Sequence, residues 1–182
     1  MYEYIVEPKS RADLRKIANE LREKLDLSDA LYFPIVEMLD VMSIVFPDFN
    51  YEIVKDNTLK LENHAETNIN TGLITIKESI YERACKGEGR DRMTIAHEIG
   101  HFITIKYYKF NINKNTSGNP IPTFKDPEWQ AKCFAGELMI PKHLINGMSV
   151  PEIAKKCGVS EDAARYQCEK YKEYDTYFFI ND

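Results

Sequence analysis

The chain has little of what marks an exported, membrane-embedded or nucleic-acid-wrapping protein. Its opening residues, MYEYIVEPKS, contain no apolar core of signal-peptide length, and no later run is long enough to cross a bilayer. A cytoplasmic protein without membrane contact is expected. Cysteine is sparse, and Cys85, Cys133, Cys157 and Cys168 stand far apart with no CxxC pair. That spacing argues against a zinc knuckle or a disulfide framework and leaves reduced, structural thiols. Positive charge is in deficit. Lys and Arg number 24 against 29 Asp and Glu, a net charge of -5, whereas a general nucleic-acid binder is usually basic overall. Apolar material is not lacking. At 182 residues and 43% hydrophobic, the chain can bury a core as one domain, with at most a small appendage.

Histidine is also rare, at four residues, and two of them fall in the stretch RMTIAHEIGHF from Arg92 to Phe102. His97, Glu98 and His101 there form an H-E-x-x-H pattern. On an α-helix, residues four apart lie nearly above one another, so two imidazoles at that spacing can grip one metal ion. Glu98 points about 100° round the helix from His97, beside the metal, where a general base for an attacking water belongs. Met93, Ile95, Ala96, Ile99, Phe102 and Ile103 make the surroundings apolar, with Asp91 or Thr94 available as caps. A chance match on a solvated surface is the bland alternative. Burial argues against it, because buried imidazoles and a carboxylate need partners.

Upstream, Ser10 and Asp13 resemble a capping box, followed by Leu14, Ile17, Ala18, Leu21 and Leu25 at helical spacing. Arg11, Arg15, Lys16, Arg22 and Lys24 read as the solvated face of that helix, with partner docking as the alternative. A second helix is expected from about Asp29 to Met42, with Ile35, Met38, Leu39 and Met42 inward. After the turn Phe46-Pro47-Asp48-Phe49 the period changes. Tyr51 and Ile53, then Leu59 and Leu61, alternate around Lys55-Asp56-Asn57 as a hairpin would. Asn70-Thr71-Gly72 is a further turn before the strand Leu73 to Ile76. A small, mainly antiparallel sheet of about three strands is expected, then a short helix over Lys77 to Lys86, broken by Gly87-Glu88-Gly89. Lys106 to Lys125 has little periodicity and reads as a long loop, a cleft wall or lid.

A catalytic zinc site wants a third protein ligand. Asp126-Pro127 is a helix start, and the helix should run to about Ile140. Glu128 shares a face with Ala131, Ala135 and Leu138, while Glu137 points to the opposite side. Periodicity therefore favours Glu128 over Glu137 and the other acids. It leaves open that Glu128 only complements the helix dipole or pairs with Lys132. RMTIAHEIGHF followed by EWQAKCFAGELMIP resembles the ImmA/IrrE family of metallopeptidases. In that family a helical HExxH precedes a helix carrying an E-x-x-A-x-x-F-A-x-E-L-hydrophobic-hydrophobic-P signature. Here Glu128, Ala131, Phe134, Ala135, Glu137, Leu138, Met139, Ile140 and Pro141 supply it. The match is specific over residues 90–141 and looser elsewhere.

The resemblance implies that His97, His101 and Glu128 bind zinc and that Glu98 is the catalytic acid/base. It also implies a protein substrate, a helix-turn-helix repressor of a phage, mobile element or stress response, cleaved or inactivated. The fold expected is α+β, mostly helical and zincin-like, over residues 1–145 with its N-terminal helices. A C-terminal helical cap over residues 146–182 should pack on it as one compact unit. Zinc is the expected ion, one per chain, with manganese and iron left open because availability helps decide occupancy. An oxyanion donor is also required; His143, Tyr107 and Tyr108 have suitable chemistry, and His64 is either structural or a cleft residue. A strand edge at Leu73 to Ile76 could hold substrate by strand addition.

Val150 to Glu173 carries a rival reading. Pro151 opens a helix, Gly158 ends it, Ser160 caps the next, and Ala154, Gly158 and Ala164 fit the spacing of a helix-turn-helix. Glu161 and Asp162 would then stand where phosphates are approached, so direct nucleic-acid binding is not expected. The aromatic tail Tyr174, Tyr177, Phe178 and Phe179 should pack back on the domain. The other rival is a non-catalytic, metal-stabilised module that sequesters a repressor. Glu98 argues against that, since a structural zinc site has no use for a base beside it.

Overall fold

The computed structural model describes residues 4–58, 63–107, 113–114 and 120–180, the side chains of residues 114 and 174–180 excepted. It is α+β and mostly helical, as expected, with seven α-helices among the described residues. Helix α1 (Arg11–Lys24) starts at the capping box of Ser10 and Asp13 and buries Leu14, Ile17, Ala18 and Leu21. Of the cations read as its solvated face, Lys16 and Lys24 are exposed, but the arginines are not. Arg11 and Arg22 are buried, and Arg22 donates to the carbonyls of Leu138 and Ala30. Helix α2 (Glu37–Val45) begins later than the Asp29 expected from the sequence. Pro34 explains the delay, because it drives Phe33 out of the helical region. Ile35, Leu39 and Met42 are inward as read.

The Phe46–Phe49 turn, closed by the Phe49 amide on the Phe46 carbonyl, leads into β2 (Asn50–Val54). Strands β3 (Ala65–Asn68) and β4 (Leu73–Lys77) complete a three-stranded sheet of order β2-β4-β3. The β3–β4 pair is antiparallel, and Gly72 turns it at φ 80°. The second pairing is parallel, β2 with β4. The hairpin read from Tyr51, Ile53, Leu59 and Leu61 falls partly on residues 59–62, outside those described. Ile53 is exposed, and the strand that pairs with β2 is β4, distant in sequence. A separate antiparallel pair joins β1 (Tyr4–Ile5) to β5 (Asn113–Lys114).

Helix α3 (Glu78–Cys85) ends before the Gly-containing break, and α4 (Gly89–His101) carries the H-E-x-x-H residues. Glu88 occupies its N-cap position, without a side-chain cap, in place of Asp91 or Thr94. Asp91 instead takes Arg83 at 2.7 Å. A π-helical turn, Phe102–Tyr107, continues α4 and buries Phe102, Ile103, Thr104 and Ile105. Helix α5 (Pro127–Met139) starts under the Asp126 cap, as read. The core forms where β4 (Ile74, Ile76), α4 (Ile95, Ile99) and α5 (Phe134, Leu138) meet.

Helices α4 and α5 cross closely at Gly100, an otherwise free position inside the motif. A Cβ there would lie 2.8 Å from the Ala131 carbonyl oxygen and 3.2 Å from its Cα. Those are backbone atoms and cannot swing away. Gly100→Ala is therefore expected to push α5 outward and to cost about 1–3 kcal/mol of stability. Because α5 carries Glu128, the placement of that carboxylate against the two histidines of α4 should loosen in the same variant. Urea unfolding checks the stability and a crystal structure the placement, and an unchanged midpoint would contradict this packing.

Helices α6 (Val150–Cys157) and α7 (Glu161–Ile180) follow, joined at Gly158 in the left-handed region at φ 65°. Arg92 of α4, itself buried, donates to the Gly158 carbonyl at 2.8 Å and the Phe33 carbonyl at 2.7 Å. The helix-turn-helix-like segment is thus tied to the helix that carries the two histidines. The side chains of Tyr174, Tyr177, Phe178 and Phe179 lie outside the described residues. All four cysteines are free, and burial pushes the Cys133 thiol up to about 12 and the Cys157 thiol up to about 11. Buried thiols of this kind are inert structural groups. No helix among the described residues is long and apolar enough to cross a membrane.

Candidate metal centre

His97 and His101 project from successive turns of α4, and Glu128 from the first turn of α5 opposite them. The Nε2 atoms of the two rings are 3.1 Å apart. Glu128 Oε2 lies 3.3 Å from His97 Nε2, and its Oε1 lies 3.2 Å from His101 Nε2. Hydrogen bonds from His101 and then His97 hold the Glu128 carboxyl well below the usual carboxylate range, against the opposing effect of burial. Lone pairs of two imidazoles and a carboxylate cannot face one another without a proton or a cation between them. Zinc–ligand bonds of about 2.0–2.2 Å at tetrahedral angles place neighbouring donors roughly 3.4 Å apart. The three donors, all within 4.8 Å of one another, fit such an ion. His97 Nδ1 is buried without a hydrogen bond, so no protein group among those described fixes the tautomer of that ring.

Glu98 stands beside this centre and is buried. Its Oε2 accepts a hydrogen bond of 2.7 Å from the Thr67 hydroxyl of β3. Both line a cleft of about 830 Å³ that also takes in His97, His101 and Glu128. His64 lines it too, one of the two alternatives that the sequence left open. Tyr4, Tyr166 and Gln167 add to its walls, the last two from α7. No spacing rule could find Thr67, Tyr4 or Tyr166, because β1, β3 and α7 reach the cleft only through tertiary packing.

The oxyanion candidates fare differently. His143 is exposed, with Nε2 3.0 Å from the Ser28 carbonyl, and lines another cavity. Tyr107 packs its ring edge-on to Phe46 at 4.6 Å and does not line the cleft. Tyr108 lies outside the described residues. Leu73 to Ile76 is the central strand, hydrogen-bonded on both sides, so it cannot add a substrate strand; β3 is the strand at the edge by the cleft. Ala163, Tyr166 and Gln167 of α7 line the cleft.

A comparison with curated proteins finds no match. Among solved structures, a Mycobacterium tuberculosis transcriptional regulator is similar in fold, with a TM-score of 0.56 at 15% identity. The alignment covers 84% of this chain and 45% of that one, so the chain spans less than half that protein's length. Residues 51–169 match the IrrE N-terminal-like domain, peptidase M78. That span runs from β2 into α7 and contains His97, Glu98, His101 and Glu128. By this match over more than half its length, the chain belongs to the peptidase M78 family of IrrE N-terminal-like domains.

Proposed function

We propose that this protein is a metal-dependent endopeptidase that works on a protein substrate in the cytoplasm. The observation that carries the reading is the convergence of His97, His101 and Glu128 within 4.8 Å, with the Glu98 carboxylate beside them in one cleft. A divalent ion held by those three residues, zinc by its donor set, would supply Lewis acidity toward a peptide carbonyl and a water. Glu98 takes the proton of the attacking water and passes it to the leaving amine. An extended segment of substrate lies along β3, hydrogen-bonded by strand addition. The substrate class, a helix-turn-helix repressor, rests on the family resemblance.

The test is Glu98→Gln, assayed by co-expression with candidate helix-turn-helix repressors and mass spectrometry of the fragments. The variant should bind zinc as the wild type does and cleave at least about a hundredfold more slowly, the lower range of a lost general base. Repressor inactivation that survives the substitution would move the protein to the class of non-catalytic binding modules.

A further inference from the structure

We propose that Thr67 is a positioning residue for Glu98, and that through it a peptide docked on β3 aligns the general base. This rests on the peptidase reading above. The Thr67 hydroxyl lies 2.7 Å from Glu98 Oε2 and 3.0 Å from the Glu98 backbone carbonyl oxygen. A hydroxyl has one proton, and the charged, nearer acceptor takes it. Oε2 is thereby fixed, and no other hydrogen bond to the carboxylate is made among the described residues. Oε1 is left for the cleft that Glu98 lines. Without Thr67, no hydrogen bond among the described residues would orient the carboxylate of a residue that is only 7% exposed.

The backbone of the same residue faces the substrate. In the β3–β4 ladder the His64 carbonyl accepts from the Lys77 amide at 3.2 Å, and the Asn68 carbonyl accepts from the Gly72 amide at 2.8 Å. Even-numbered residues of β3 therefore turn their main-chain groups toward β4. Ala65 and Thr67, between them, turn theirs to the open edge. The cleft runs along that edge past Ala65, Glu66 and Thr67. A peptide strand hydrogen-bonded to the main chain of Thr67 fixes the position of the residue whose side chain holds Glu98. Docking and base alignment share one residue.

Thr67→Val keeps the shape and the strand preference and exchanges the hydroxyl for a methyl; Thr67→Ser keeps the hydroxyl. Each variant is made alone, and Thr67→Val also in the Glu98→Gln background. The readouts are zinc affinity, turnover of a random-sequence decapeptide pool followed by mass spectrometry, and a crystal structure of each protein. Thr67→Val should lose about 10- to 100-fold in kcat, the usual cost of removing a group that orients a catalytic one, with KM and zinc affinity little changed. Thr67→Ser should recover to within a few-fold of wild type, and Thr67→Val should cost nothing further on Glu98→Gln. The crystal structure of Thr67→Val should show the Glu98 carboxylate displaced or split between orientations. A Ser variant as slow as Val, an equal loss in the Glu98→Gln background, or an unmoved carboxylate overturns the proposal. A zinc-loaded wild type that cuts no peptide in the pool counts against the peptidase reading, and the crystal structures then judge Thr67 alone.

Discussion

Glu128→Ala is expected to lower zinc affinity by more than about a hundredfold while leaving the stability of the metal-free protein nearly unchanged. The first half follows from the donor count. Removing one of three converging ligands costs more than disturbing a group behind a ligand, which already costs about 10- to 100-fold. The second half follows from exposure. The Glu128 side chain is 60% exposed, and its oxygens meet imidazoles only at 3.2–3.3 Å. A pair open to solvent on its Glu128 side contributes about 0–1 kcal/mol to folding. Competition against a chromophoric chelator reads the affinity, and urea unfolding of the zinc-free protein reads the stability. Wild-type affinity in the variant would show that Glu128 is not a ligand, and the proposed hydrolysis would lose its third donor. A large loss of stability without zinc would make Glu128 a structural residue whose effect on the metal is indirect.

How much of this centre was legible in the sequence depended on the range of the contact. His97, Glu98 and His101 could be read because one helical turn sets their relation, and the period of α4 is local. Glu128 could be favoured over Glu137 because both sit on α5, where about 100° per residue puts them on opposite faces. Its distance from the histidines could not be read, since that depends on Gly100 admitting the Ala131 backbone. The sheet was misread at one step for the same reason. Alternation locates a strand and its faces but not its partner, and β2 found β4 across a gap in sequence. His143 has the chemistry of an oxyanion donor but not the position. The chain turns there, and the ring meets the Ser28 carbonyl. Charge alone places the α1 cations in solvent, and Lys16 and Lys24 do face it, but α1 packs along α5 and draws Arg11, Arg15 and Arg22 inward.

Glu137→Ala should be among the most destabilising single changes in the chain, at about 3–5 kcal/mol. The side chain of Glu137 is 0% exposed, with Oε1 3.0 Å from Arg11 Nη1 and Oε2 2.8 Å from Arg15 Nε. The Tyr171 hydroxyl lies 2.9 Å from Oε2, so α1, α5 and α7 meet on one carboxylate. Its removal leaves the Arg11 guanidinium buried, with Gln167 Oε1 at 3.4 Å as the remaining side-chain acceptor. Arg15 is partly exposed and can turn to water, so most of the cost falls on Arg11. Against a domain stability of about 5–15 kcal/mol, such a loss shows plainly in a urea midpoint. The cause is separable from simple loss of volume. Replacing both partners, as Arg11→Met with Glu137→Leu, removes the stranded charge along with the carboxylate and should recover much of the stability. A Glu137→Ala cost below about 1 kcal/mol, or a double variant no better than the single, would show that the cluster does not hold α1 and α7 on α5. Nine residues and half a turn of phase separate Glu128 from Glu137 on one helix. The first faces His97 and His101, and the second ties the opposite face of α5 to α1 and α7.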